Sequence, residues 1–137
     1  MQTKSIYINL PIKDTTQTRI FWTALGFSFI EQFSNEQALC LLLKENSTYA
    51  MLITKEFYAT FTNRPISDHT TTQSIVAIEV ESKAEVDIII EKAIANGATR
   101  YKEPVSYDWM YYDSFTDIDG NQWEIMHTDY SKWTPEN

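Results

Sequence analysis

The chain repeats itself. Laid on one another, "YINLPIKD" from Tyr7 and "IVAIEVES" from Ile75 keep step at an offset of 68 residues, and each opens the same order of elements. Such a repeat constrains a fold more than any single motif, because a small unit buries its hydrophobic face only with a neighbour to pack on.

In the first copy, "SIYINLPIKD" alternates. Ile6, Ile8, Leu10 and Ile12 share one face, and Tyr7, Asn9 and Pro11 share the other, the period of a strand with one buried side. "TTQTRIFWTALGF" follows, with Ile20, Phe21, Ala24 and Leu25 at helical spacing. Asp14 or a following threonine is the expected N-cap, and Gly26 the stop. Strands are expected over 27–33, 38–43 and 49–54, with "SNEQ" and "KENS" as the turns between them. In the second copy Val76, Ile78 and Val80 face one way and Ile75, Ala77 and Glu79 the other. "SKAE" reads as a capping box, Ser82 with Glu85. The helix it opens runs through Val86, Ile89, Ile90, Ala93 and Ile94 to a stop at Asn96-Gly97, and strands are expected over 100–105, 111–116 and 122–128.

The expected fold is therefore α+β: one domain of two βαβββ modules, 5–56 and 74–129, joined by a linker over 57–73 with a short helical turn near 57–61. The paired sheets curl into a cup-shaped mixed sheet with the helices outside. Tyr7, Asn9, Ile75, Ala77, Glu79, Glu124 and Met126 face into the cup.

Composition narrows the classes. Hydrophobic residues at 43% and aromatics at 14%, against 3 Gly and 4 Pro, describe a chain that packs a core. No apolar run approaches the ~20 residues that span a bilayer, and no basic-then-apolar leader opens the chain, so neither a membrane nor secretion is expected. The single cysteine, Cys40, cannot form an internal disulfide and suits a reducing cytoplasm. The net charge is -8, with 6 basic and 6 acidic residues over 1–73 but 5 and 13 over 74–137. An acidic surface repels phosphate backbones, so nucleic acid is not an expected partner.

The stretch "SFTDIDGNQWEIMH" holds the candidate chemistry. Its Asp-x-Asp-Gly-Asn is a turn, since the glutamate that completes a calcium loop is absent. Glu124 then stands between Trp123 and Ile125, facing the cup. His127 keeps step with Trp123 and Ile125 and faces away; His69 lies in the linker and is expected in solvent. Cys40 in "ALCLLLK" has no basic neighbour to activate it and reads as a buried thiol. "YDWMYYDSF" packs Tyr107, Trp109, Tyr111, Tyr112 and Phe115 into nine residues, and alternation sends part of this set to the cup, with Trp109 and Met110 on its rim. Ligand pockets are apolar with a few polar groups. The expected ligand wall is Tyr7, Asn9, Glu79, Trp109, Tyr111 or Tyr112, Glu124 and Met126, with Tyr7 and Asn9 as the donors nearest to Glu124.

The doubled order, the opening "NLPIKDTTQTRIFWTALGF" and the closing "FTDIDGNQWEIM" resemble the vicinal oxygen chelate superfamily. That superfamily includes glyoxalases, extradiol dioxygenases, and bleomycin- and fosfomycin-resistance proteins. The likeness runs over 5–129 and is greatest to bacterial proteins of lactoylglutathione-lyase-like type. It implies a cup that holds a divalent metal through up to four positions, and these fall on Tyr7, Ile75, Met51 and Glu124. Only Glu124 keeps a ligand-type side chain. Catalytic metals need about three protein ligands; isoleucine cannot ligate, and methionine and neutral tyrosine suit hard ions poorly. The resemblance thus implies a glyoxalase- or bleomycin-resistance-like protein that binds a small aromatic or cationic molecule without a metal cofactor. Met51 joins the ligand wall, Glu124 is the one metal ligand if any is used, and no catalytic residue is assigned. The alternative is a metal-dependent lyase, isomerase or dioxygenase using Glu124 and unorthodox ligands. Members of this superfamily often pair, which leaves a homodimer open.

Overall fold

In the computed structural model, which describes residues 1–136, the chain divides into two compact units, the first ending at Thr71 and the second beginning at Thr72. The first unit runs β1 (Ile6–Ile12), α1 (Thr15–Ala24), β2 (Ala38–Lys44), β3 (Thr48–Thr54) and a short α2 (Lys55–Tyr58). Its sheet has the order β1-β3-β2, with β1 parallel and β2 antiparallel to β3. A parallel pair needs a crossover, and α1 lies in it. Asp14 caps that helix, accepting from the Gln17 amide at 2.8 Å. Gly26 follows the helix at φ +94°, in the region where glycine alone is unstrained.

The buried stripe of α1 is Thr18, Phe21 and Trp22, continued by Leu25. It is not the expected one: Ile20 is exposed and Ala24 only half-buried. The stripe at i, i+3, i+4 and i+7 that contains both large rings buries more apolar area than the one through Ile20. Trp22 meets Phe21 and Phe27 edge to face, at 5.4 and 5.1 Å between ring centroids.

The strand expected over 27–33 does not form. Phe29 alone bridges Leu41, and the backbone then enters a 3-10 turn at Glu31–Phe33. Ser34 replaces the ladder there: its hydroxyl accepts from the Cys40 amide at 3.0 Å and donates to the Ile30 carbonyl at 2.8 Å.

The second unit runs β4 (Ile75–Glu79), α3 (Lys83–Ala95), β5 (Val105–Ser106), β6 (Met110–Thr116) and β7 (Gln122–Thr128). Its sheet has the order β4-β7-β6-β5; β4 is parallel to β7, and the other pairs are antiparallel. Ser82 caps α3 by accepting from the Glu85 amide at 3.1 Å, and the Glu85 carboxylate reaches back to the Glu81 amide at 2.8 Å. Val86, Ile90 and Ala93 of α3 are buried, as are Phe115, Trp123 and Ile125 of the strands it packs on. Ile89 is half-buried and Ile94 exposed. Gly97 ends the helix at φ +106°.

The strand expected over 100–105 shrinks to Val105–Ser106. Thr99 bridges Thr116, but Arg100 then turns to the buried Asp113, donating to its two oxygens at 3.1 and 2.7 Å. Pro104 has no amide hydrogen to offer a ladder.

The two sheets share a register. In the first, Tyr7 lies opposite Tyr49 and Asn9 opposite Met51. In the second, Ile75 lies opposite Gln122 and Ala77 opposite Glu124. Met51 and Glu124 therefore occupy the same place in their units. The architecture is α+β with two mixed sheets of three and four strands.

Candidate binding site

Along β7 the burial alternates: Trp123 and Ile125 are buried, and Glu124 and Met126 half-exposed. On the face away from α3, Glu124 lies between Ser114 on β6 and Ala77 on β4, and Met126 lies between Tyr112 and Glu79. The turn before β7 holds this strand in place. Asp117 accepts from the Asp119 and Asn121 amides at 2.9 and 3.0 Å and from the Trp123 indole at 2.9 Å. Burial pushes its carboxyl up to about 6, against these three donors, which favour the charged form. Asp117 is thus the hub of a turn, as expected of that motif.

The Glu124 charge is felt at Tyr101 and Lys102. Burial raises the Tyr101 hydroxyl, and the Glu124 charge adds to it; Lys102 is raised by its hydrogen bond to Tyr112, with Glu124 again contributing. The Tyr101 and Ser114 hydroxyls lie near each other, both buried, without reaching hydrogen-bond geometry. Among the described residues no group of three or more His, Cys, Asp and Glu side chains comes together in a way that could hold a metal ion. On its own sheet Glu124 offers a divalent ion one carboxylate, with Ala77 and Ser114 as flanking residues, a donor set that does not fit a catalytic metal.

A cavity of about 430 Å³ opens farther along the same sheet, lined by Trp109, Met110, Met126, Thr128, Tyr130 and Trp133. The start of β6 and the end of β7 bring Met110 opposite Thr128. The Trp109 carbonyl accepts from the Asp129 amide at 2.7 Å, and its ring stacks on Tyr107 at 5.7 Å. After β7 the chain turns on Asp129, whose carboxylate accepts from the Ser131 amide and hydroxyl at 3.1 and 2.6 Å. That turn delivers Tyr130 and Trp133 to the cavity. The Tyr130 hydroxyl donates to Glu79 at 3.0 Å.

Of the expected ligand wall, Trp109 and Met126 line this cavity, and Glu79 joins it through Tyr130. Tyr112 lies on the same face, its hydroxyl accepting from Lys102 at 3.1 Å. Tyr111 does not belong with them. It points to α3, donating to Asp87 at 2.7 Å under the Lys83 ammonium, and burial together with Asp87 pushes its hydroxyl up to about 12. Tyr7, Asn9 and Met51 lie in the first unit, where Tyr7 stacks on Tyr49 at 5.0 Å. His127 keeps step with Trp123, its Nδ1 3.2 Å from the Val80 carbonyl; His69 is exposed. Cys40 is buried, which raises its thiol. Thr128, Tyr130 and Trp133 escape the pattern reading, although Tyr130 and Trp133 are two rings in four residues of an otherwise polar segment.

Residues 4–125 match the family model for the Glyoxalase/Bleomycin resistance protein/Dioxygenase superfamily. Among solved structures, a hypothetical protein from S. aureus is 20% identical, with 93% of this chain and 95% of that one covered and a TM-score of 0.76. A glyoxalase/bleomycin resistance protein/dioxygenase family enzyme from Burkholderia phytofirmans PsJN is 22% identical over 89% of this chain and 96% of its own, with a TM-score of 0.71. A glyoxalase-related enzyme from Fulvimarina pelagi is 17% identical over 93% and 89%, with a TM-score of 0.76. At these identities the likeness is one of fold. No curated protein matches the chain.

Proposed function

The chain belongs to the glyoxalase/bleomycin resistance protein/dioxygenase superfamily, and from that premise we propose that it binds a small aromatic or cationic molecule without a catalytic metal. The observation that carries this reading is the cavity of about 430 Å³ walled by Trp109, Met110, Met126, Tyr130 and Trp133. Aromatic rings and methionine side chains take up planar and irregular apolar bodies, and a few polar tips orient them. Glu79 beside the cavity gives a positive group a counter-charge. Glu124 is a further polar anchor on the same face, one row from Met126.

The metal-dependent alternative, a lyase, isomerase or dioxygenase, rests on Glu124 alone, because Tyr7, Ile75 and Met51 stand at the other positions the family uses. No helix among the described residues is long and apolar enough to cross a membrane. A reducing cytoplasm suits the single buried Cys40, and pairing of two copies belongs to the same reading.

A thermal-shift screen of aryl and alkyl amines and neutral arenes tests the proposal. A ligand that binds the native state alone raises the melting temperature, by an amount that grows with the logarithm of its concentration over Kd. The expected result is stabilisation that Met126→Ala and Trp109→Ala abolish. Turnover of a family substrate that requires one bound metal ion per chain would overturn it.

A further inference from the structure

Tyr130 is both a wall of the cavity and the donor to Glu79, at 3.0 Å. Glu79 lies on β4 directly across from Met126, another wall residue. Both Glu79 and Tyr130 are exposed, so their contact does not hold the core together. None of the six lining residues carries a positive charge. Lys132, between Tyr130 and Trp133 in sequence, is not among them. The carboxylate at this cavity is therefore met by a neutral phenol.

An ammonium group, primary or quaternary, is a better partner for a carboxylate than a phenol, because it sets a full positive charge against the negative one, where the phenol offers only a dipole. It is also attracted to the faces of tryptophan and tyrosine. We propose that Tyr130 is an internal stand-in for the ligand's cationic group. Its hydroxyl occupies Glu79 in the free protein, and an ammonium entering between Trp109, Tyr130 and Trp133 takes that carboxylate over. Glu79 then sets the charge preference of the pocket, and Tyr130 sets the threshold a ligand must exceed. The segment from Asp129 to Trp133, held at Glu79 by Tyr130, becomes the part of the protein that reports occupancy. This inference rests on the cavity being the binding site proposed above.

The test uses two probes of one shape, para-hydroxyphenyl-trimethylammonium and its neutral carbon isostere para-tert-butylphenol. Both are titrated into the full chain with tryptophan fluorescence and amide NMR as readouts. The cation should bind about tenfold more tightly than the isostere, through charge attraction to Glu79 and contact with the ring faces. Glu79→Gln should remove that preference. Tyr130→Phe keeps the ring and frees the carboxylate, so it should strengthen cation binding and widen the preference for the cation over the isostere. Equal binding of the two probes, or a Tyr130→Phe variant that binds the cation no better, would overturn the stand-in role while leaving the pocket intact. Binding of neither probe would remove the pocket reading and this inference with it.

Discussion

The Trp123 indole donates to the Asp117 carboxylate at 2.9 Å, so a fully buried ring in the core of the second unit is tied to the turn that aims β7. An aspartate ordinarily ionises near 3.8, and here burial moves it to about 6. Between those values the folded protein keeps a proton that the unfolded chain has released. Stability from this group is therefore greatest below the window and falls as pH rises through it, by on the order of 3 kcal/mol. Carboxyl NMR should show Asp117 titrating near 6. The stability of the native chain minus that of Asp117→Asn should fall from pH 4 to pH 7, and a difference that stays flat would contradict the assignment.

Trp123 has no exposed surface. Trp123→Ala should cost about 3–5 kcal/mol in denaturant unfolding. Trp123→Phe fills most of the space but leaves a buried carboxylate oxygen without its donor, at a cost of about 1–3 kcal/mol.

Glu124 is half-exposed, between Ala77 and Ser114. Glu124→Gln should change stability by less than about 0.5 kcal/mol while weakening ligand binding. Metal analysis of dialysed protein should find no stoichiometric zinc, nickel, manganese or iron. One tightly held equivalent, lost on Glu124→Gln, would reverse the functional reading.

Gly26 and Gly97 close the two long helices at φ +94° and +106°. Alanine at either position should cost about 1–2 kcal/mol. Gly97→Ala should be the worse of the two, because its new Cβ would lie 3.1 Å from the Ile118 side chain, whereas nothing lies within 4 Å at Gly26. Thermal melts of both variants check the order.

Local patterning carries most of this fold. The strand over Ile6–Ile12, the Ser82 cap and the glycine stops are all short-range, and each stands where the pattern puts it, but burial along that strand does not alternate throughout, since Ile6 is exposed and Pro11 buried. The segments 27–33 and 100–105 read as strands because Phe29, Ile30, Tyr101 and Val105 favour pleated surfaces. Their fate is decided at a distance, by the Ser34 hydroxyl on Cys40 and by Arg100 on Asp113, and periodicity cannot register such partners. Ile20 and Trp22 differ by two positions on one helix, and only packing selects which stripe goes inward. At the candidate site, Trp109 and Met126 are legible from an aromatic cluster and a strand's alternation. Tyr130 and Trp133 are not, because they follow the last strand and depend on the chain turning back. The Asp129-x-Ser131 turn is the signal that could have found them, since an aspartate that accepts from the backbone two residues on reverses the chain.

The place of β7 inside its sheet, between β4 and β6, bears on the order in which a growing chain acquires structure. The first sheet has its central strand, β3, complete by Thr54, and can assemble while the rest is still being synthesised. The second sheet lacks its middle until Gln122–Thr128 emerges. Until then β4 and β6 have no strand to pair with between them, and both leave open edges of the kind that invite association between chains. The late arrival of one strand leaves the second sheet open to association between chains for as long as β7 has not emerged.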